Sequence, residues 1–232
     1  KKQQFLDNLQ VTPEQAMAIR NCPQGTEEWL GYRKDRLTAS RFGEAANLSP
    51  YSTPDDLTED MLWSVFKGNA ACRYGNHFED TAEIAYRALM RKENQPVVVE
   101  HCGLIVIPEY PWIGVSPDGL VTDVTTGEKF LLEIKCPYGA GPRTGGGKIY
   151  PSVPPQYMAQ IQGIMGFLKL PKTHFCVWTP DNIEVRVVPF DASYFEILRT
   201  RLENYYMKKY IPARLLQIEG RLEEGHIEQS IK

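Results

Sequence analysis

Residues 112–135, WIGVSPDGLVTDVTTGEKFLLEIK, decide how this chain folds. Trp112 to Thr122 is apolar and β-branched enough to predict a strand, Asp123 to Gly127 a turn, and Lys129 to Lys135 a second strand. Folded about its middle, the hairpin sets Asp118 roughly opposite Glu133. Cross-strand partners share a face, with Cβ atoms about 4.5–5.5 Å apart. Side chains alternate along a strand, so Glu133 and Lys135 point one way while Ile134 points the other, into a core. One surface thereby gathers two carboxylates and an ammonium. Pro117 argues for a bend in the first strand and leaves the register approximate.

Each piece also has an ordinary explanation. Pro117-Asp118-Gly119 is a common turn sequence, and Glu-x-Lys on a strand is usually a solvated face. Here, however, Phe130, Leu131, Leu132 and Ile134 form an apolar run, the mark of a mostly buried strand. A charged pair there is costly unless compensated, and a divalent cation would compensate it. Hard cations take oxygen ligands, so Asp118, Glu133 and the Ile134 carbonyl are candidate Mg²⁺ ligands. Glu79, in Tyr74–Glu79 (YGNHFE), adds a third carboxylate for a second ion or a water-mediated contact. Three carboxylates and one lysine are a set that holds Mg²⁺ against a phosphate, as a metal-dependent phosphodiesterase requires. Lys135 would orient or deprotonate the attacking water and offset charge on the phosphate.

Asp118 followed by Glu133-Ile134-Lys135 resembles the core of the PD-(D/E)xK nuclease superfamily. The surrounding residues resemble its lambda exonuclease, or YqaJ-type viral recombinase, branch. The matching stretches are Trp29–Ser40 (WLGYRKDRLTAS), Tyr74–Glu79, Ser116–Gly119 (SPDG), Leu132–Pro137 (LEIKCP) and Tyr157–Gln162 (YMAQIQ), in family order across most of residues 25–170. The resemblance implies an α/β fold with a restriction-endonuclease-like core: a mixed central sheet whose β-hairpin carries the site, flanked by helices. It also implies that residues 1–232 form a single nuclease domain, the N-terminal helices of residues 1–69 forming part of a DNA channel. Gln160 would line the site and position its groups, while Arg33 and Ser40, joined by Ser116, would bind the 5′-phosphate of a DNA end. Arginine grips phosphate through paired donors, and a serine opening a helix offers hydroxyl and backbone donors to an anion.

The activity implied is a Mg²⁺-dependent 5′-to-3′ exonuclease that degrades one strand of linear double-stranded DNA to mononucleotides. Two ions about 3.5–4 Å apart would act together, with Mn²⁺ as a substitute. The 3′ single-stranded tails would pass to a single-strand annealing protein in viral or prophage recombination, and the resemblance admits a ring-shaped homotrimer. Two other readings stay open: a structure-specific endonuclease or RNA-directed nuclease on the same core, and an inactive DNA-end-binding protein.

Composition bounds the rest. The chain has 232 residues and fits one catalytic domain with a substantial core. Its net charge is −3, low for a DNA-binding protein. Local clusters therefore matter more: Arg33, Lys34, Arg36 and Arg41 in one, Arg143 and Lys148 in another on a glycine-rich loop. Five cysteines (Cys22, Cys72, Cys102, Cys136, Cys176) stand singly, which argues against a zinc ribbon, a disulfide framework and an iron–sulfur cluster. Cys136 reads as a small buried filler. No window approaches about 18 uninterrupted apolar residues, and KKQQFLDNLQ lacks the apolar core of a signal peptide, so a cytoplasmic protein without membrane contact is expected.

Capping signals at Thr12, Thr26, Ser40 and Thr53 predict four helices, the last closed by Gly68. Ala70 to Lys92 predicts a long helix carrying Glu79. Further strands are expected at Val97 to Glu100, Leu104 to Ile107, Phe175 to Trp178 and Ile183 to Val188, with a helix from Pro154 to Lys169 and a helical end.

Overall fold

Pro117 divides the long strand expected over Trp112 to Thr122. The computed structural model describes residues 1–64, 70–139 and 148–227. Within it, strand runs over Tyr110–Val115 and resumes at Gly119–Asp123. The first half belongs to a three-stranded sheet and the second to a five-stranded one. Proline offers no amide hydrogen to a ladder, so the chain leaves one sheet at Ser116-Pro117-Asp118 and enters the other.

The elements run α1 (Lys2–Asp7), α2 (Pro13–Asn21), α3 (Glu27–Arg33), β1 (Leu37–Thr38), a 3₁₀ turn (Ala39–Arg41), α4 (Phe42–Ala45), α5 (Pro54–Trp63) and α6 (Ala70–Lys92). Then come β2 (Val97–Glu100), β3 (Ile105–Ile107), β4 (Tyr110–Val115), β5 (Gly119–Asp123), β6 (Lys129–Lys135) and α7 (Pro155–Leu168). β7 (Lys172–Thr179), β8 (Asn182–Pro189), α8 (Ala192–Tyr205), a π-helical stretch (Tyr206–Tyr210) and α9 (Ile211–Ile218) complete the described chain. Thr12 forms the expected capping box and Thr53, expected to open a helix, forms one as well, each followed by a proline in the first turn. α5 ends at Trp63 with Ser64 as its cap; Gly68, expected to close it, and Arg143 lie outside the described residues.

The larger sheet has the order β2-β5-β6-β7-β8, so β6 is its central strand. β6 and β7 run parallel, joined by the α7 crossover, while the other pairs are antiparallel. In the smaller sheet β4 lies between β1, parallel to it, and β3, antiparallel. β6 is buried on both faces. Phe130, Leu132 and Ile134 pack with Ala82, Tyr86 and Met90 of α6, while Leu131 joins Ile161 and Ile164 of α7 in the other core. The sheet is thus a layer between two helices, with β6 in the least solvated position available.

The C-terminal elements belong to the same core. Tyr206 stacks on Trp112 at 4.8 Å between ring centroids and donates its hydroxyl to the Asp35 carbonyl. Asp35 holds a left-handed backbone (φ 62°). Its carboxylate accepts from Tyr210 at 2.7 Å and from Arg214 at 2.8 Å, which locks the turn between α3 and β1.

Candidate active site

The ladder between β5 and β6 pairs Gly119 with Leu132 and stops there. One further step of the same register sets Asp118 opposite Glu133, as the hairpin reading expects. The missing partner beyond β5 is replaced by a side chain: Asp118 Oδ2 accepts from the Ile134 amide at 2.7 Å. Pro117 therefore ends the strand and frees the next residue to turn its carboxylate onto β6.

Glu133 is 1% exposed. Its Oε1 accepts from Lys135 Nζ at 2.5 Å and from Gln160 Nε2 at 2.6 Å. Its Oε2 is buried and has no partner among the described residues. Lys135 also lies 4.8 Å from the centre of the Tyr157 ring. Tyr157 and Gln160 are three residues apart on α7, so one helical face meets the charged face of β6. Tyr157 lies inside a stretch quoted for the resemblance but carried no assigned role; its spacing from Gln160 was the available signal. Glu79 approaches from α6, half-buried.

The electrostatics follow from burial. Desolvation, with the Asp118 charge, pushes the Glu133 carboxyl up to about 8, against the pull of Lys135. Burial and then Asp118 push Glu79 up to about 7. Asp118 is raised by burial, which outweighs Lys135 and the Ile134 amide. Burial disfavours the Lys135 ammonium, but Glu133 and Asp118 outweigh that and hold it above the usual lysine range. Three acids thus face one base in a desolvated setting, leaving a deficit of positive charge and an orphaned carboxylate oxygen. A hard divalent cation would supply both needs, so the donor set fits one. Among the described residues no three His, Cys, Asp or Glu side chains converge as a ready metal-ligand group. Lys135, Gln160 and the Ile134 amide hold the carboxylates instead.

The residues linked to phosphate lie where the two parallel strands end. β1 pairs Thr38 with Gly114 of β4. Just beyond, one chain turns through Ala39–Arg41 and the other through Ser116 toward Asp118. Ser40 is exposed in the 3₁₀ turn and is not a helix cap; Thr38 precedes that turn, without a side-chain capping bond. This corrects the expected N-cap: the chain is still in β1 at Thr38, so the first turn winds as 3₁₀ and Ser40 falls inside it. The Arg33 guanidinium lies 4.2 Å from the Trp29 ring centre and donates to Thr38 Oγ1 at 3.3 Å. It pairs with no carboxylate among the described residues, and burial with nearby Arg41 lowers its pKa to about 10. Ser116 Oγ is buried with no partner among the described residues.

The expected basic cluster does not hold together. Arg36 is buried and donates to the carbonyls of Leu9, Tyr32 and Pro111. Arg41 pairs with Asp60 at 2.5 Å and with Glu44 at 3.2 Å. Arg36 is thus consumed by structure and Arg41 by carboxylates, leaving Arg33 and Lys34. Among the described residues the cysteines form no disulfide. Cys136 is half-buried beside the core, and burial plus Glu79 push its thiol up to about 12, which disfavours a thiolate.

A mixed α/β layer carrying an acid–lysine cluster at the end of its hairpin has the architecture of a nuclease core. The chain belongs to the YqaJ-like viral recombinase domain family, whose profile matches residues 28–167. That span contains every stretch that carried the resemblance. Among solved structures the chain is similar to an alkaline exonuclease from Laribacter hongkongensis, with 22% identity, a TM-score of 0.63, and coverage of 84% of this chain and 98% of that one. The same exonuclease in complex with dAMP gives 21% identity, a TM-score of 0.62, and coverage of 85% and 100%. A phage-related exonuclease from Haemophilus somnus 129PT gives 15%, 0.50, 74% and 93%. No curated protein matches the chain. Family and neighbours together indicate a nuclease. Among the described residues no helix is long and apolar enough to cross a membrane.

Proposed function

We propose that the chain is a Mg²⁺-dependent exonuclease that degrades one strand of linear duplex DNA from its 5′ end to mononucleotides. The 3′ tails would serve a single-strand annealing partner. The observation that carries this reading is Glu133, a fully buried carboxylate with one oxygen unpartnered, beside two further acids and a single lysine.

Asp118 and Glu133 would hold the ion with the Ile134 carbonyl, and Glu79 would serve a second ion or a bound water. When bound, Mg²⁺ or Mn²⁺ supplies Lewis-acid polarisation of the scissile phosphate and a water of lowered pKa. Lys135 keeps its proton, because Glu133 and Asp118 hold its ammonium form. In that form it would orient the water and offset phosphate charge. Gln160 fixes the Glu133 carboxylate through its 2.6 Å bond. Arg33, with no carboxylate of its own, and Ser116, with an unused hydroxyl, would take the 5′-phosphate together with Ser40. A 5′ end anchored there, beside Asp118 in the chain, would set the polarity of digestion.

The test is digestion of 3′-labelled linear duplex carrying either a 5′-phosphate or a 5′-hydroxyl, in Mg²⁺ or EDTA, with Lys135→Ala as control and a closed circle as competitor substrate. Mg²⁺-dependent loss of the 5′-phosphorylated strand, an intact circle and an inactive variant are expected. Cutting of the circle, or cutting indifferent to the 5′ end, would replace this reading with an endonuclease.

A further inference from the structure

The residues of α8 and the π-helical stretch that face α4 line a cavity of about 540 Å³, which shares no lining residue with the carboxylate cluster. We infer that this cavity is a second contact site for the phosphodiester backbone of DNA, near the end held by the active site. The inference rests on the DNA-exonuclease reading above.

Arg201, Asn204, Lys208 and Lys209 lie at helical spacing and turn one face to the cavity, opposite Ala46 and Asn47. Arg201 Nη1 donates to the Ala46 carbonyl at 3.3 Å, which lays the guanidinium along the wall, and among the described residues it has no carboxylate partner. Lys208 has no ion-pair or hydrogen-bond partner among the described residues. Lys209 is paired with Asp55. None of the described lining residues is acidic, and the two asparagine amides add neutral donors. Glu44 and Asp55 lie close enough to act on the lining Tyr205, but Asp55 is held by Lys209 and Glu44 by Arg41. On a chain of net charge −3, Arg201 and Lys208, without carboxylate partners among the described residues, remain as local positive charge, the electrostatic footprint of a phosphate contact.

Position supports the assignment. Ala46 lies six residues past Ser40 along the 3₁₀ turn and α4. At 1.5–2.0 Å per residue that path is roughly 9–12 Å, or about three phosphates at 3.4 Å of rise each. A duplex anchored at Arg33 and Ser40 would thus bring backbone phosphates within range of Arg201 and Lys208.

The experiment is binding of a 5′-phosphorylated linear duplex in EDTA, followed by fluorescence anisotropy over a range of salt. The proteins are the wild type, Arg201→Gln with Lys208→Gln, and the charge-conserving pair Arg201→Lys with Lys208→Arg. A fourth, Arg91→Gln with Lys92→Gln, makes the same net-charge change elsewhere. The neutral pair should weaken binding about tenfold and reduce the log–log salt slope by about 2, near 0.9 per phosphate. The conserving pair and the Arg91–Lys92 pair should keep the wild-type slope. An unchanged slope in the neutral pair, or an equal loss in the Arg91–Lys92 pair, would overturn the inference while leaving the exonuclease reading intact. Binding of inorganic phosphate that the neutral pair abolishes, with the duplex slope unmoved, would assign the cavity to a free anion and also overturn it. A wild type that binds no duplex at all would instead overturn the exonuclease reading, and this inference with it.

Discussion

Glu133 shows how much a single position can carry. Its neighbours on β6 are core residues, and its own side chain is 1% exposed with one oxygen bonded twice and the other not at all. Breaking its support should show in function before it shows in stability. Gln160→Leu keeps the helix and fills similar space but removes the donor to Oε1. We expect the cleavage rate to fall about 10–100-fold and half-activation to need more Mg²⁺, as for other partners that orient metal ligands; unchanged Mg²⁺ titrations would refute that role. Asp118, Glu133 and Lys135 were legible in the sequence because the pleat fixes which residues share a face. The Oε2 orphan was not, since it depends on α7 arriving over β6. His174 offers a separate test at this scale. It is 5% exposed, bonded to the Tyr86 hydroxyl at 2.9 Å, and burial with Lys172 lowers its pKa from 6.5 to about 4. The unfolded chain therefore takes up this proton at higher pH than the folded one. The resulting stability is complete above about pH 6.5 and is lost as pH falls toward 4. Thermal melts should show wild type losing about 2–3 kcal/mol more than His174→Gln over that interval; parallel curves would contradict this.

At the scale of elements, legibility follows how local the determining forces are. Helix starts at Thr12 and Thr53 are set by residues three apart, and both helices begin there as expected. The strands Lys172–Thr179 and Asn182–Pro189 overrun their expected cores by a few residues, because pairing with each other extends them. β1 was invisible: two residues have no periodicity, and only the distant β4 makes them a strand. Ser40 was misread for the same reason. α4 shows what such non-local contacts demand. A Cβ on Gly43 would stand 2.7 Å from Gln156 Cα, in the first turn of the helix that carries Gln160. Backbone cannot step aside as a flexible side chain can, so Gly43→Ala should cost about 1–3 kcal/mol. A melting temperature lower by several degrees is the expected readout, and an unaltered one would show that α4 and α7 are not held as described.

The whole molecule spends its charge locally. Arg36, Arg41 and Arg214 are consumed by structure, at three carbonyls, at Asp60 and Glu44, and at Asp35 respectively. Arg33, Arg201 and Lys208 are left without carboxylate partners among the described residues, which reconciles a net charge of −3 with contacts to a polyanion. The C-terminal third carries none of the stretches that bear the resemblance, yet Tyr206, Tyr210 and Ile211 sit in the main core, and the two tyrosines with Arg214 pin the α3–β1 turn. Aromatic packing at long sequence range leaves no local pattern to read. The mixed sheet itself was legible, but not its separation from the β1–β4–β3 sheet, which turns on Pro117. The proposed chemistry depends above all on the buried acids being a cation site. Calorimetric titration of Mg²⁺ into metal-free protein, for wild type and Glu133→Gln, tests that most directly. Saturable binding in the wild type, weakened about tenfold or more in the variant, is the predicted result; no saturable binding in the wild type, or equal binding in both, would contradict it.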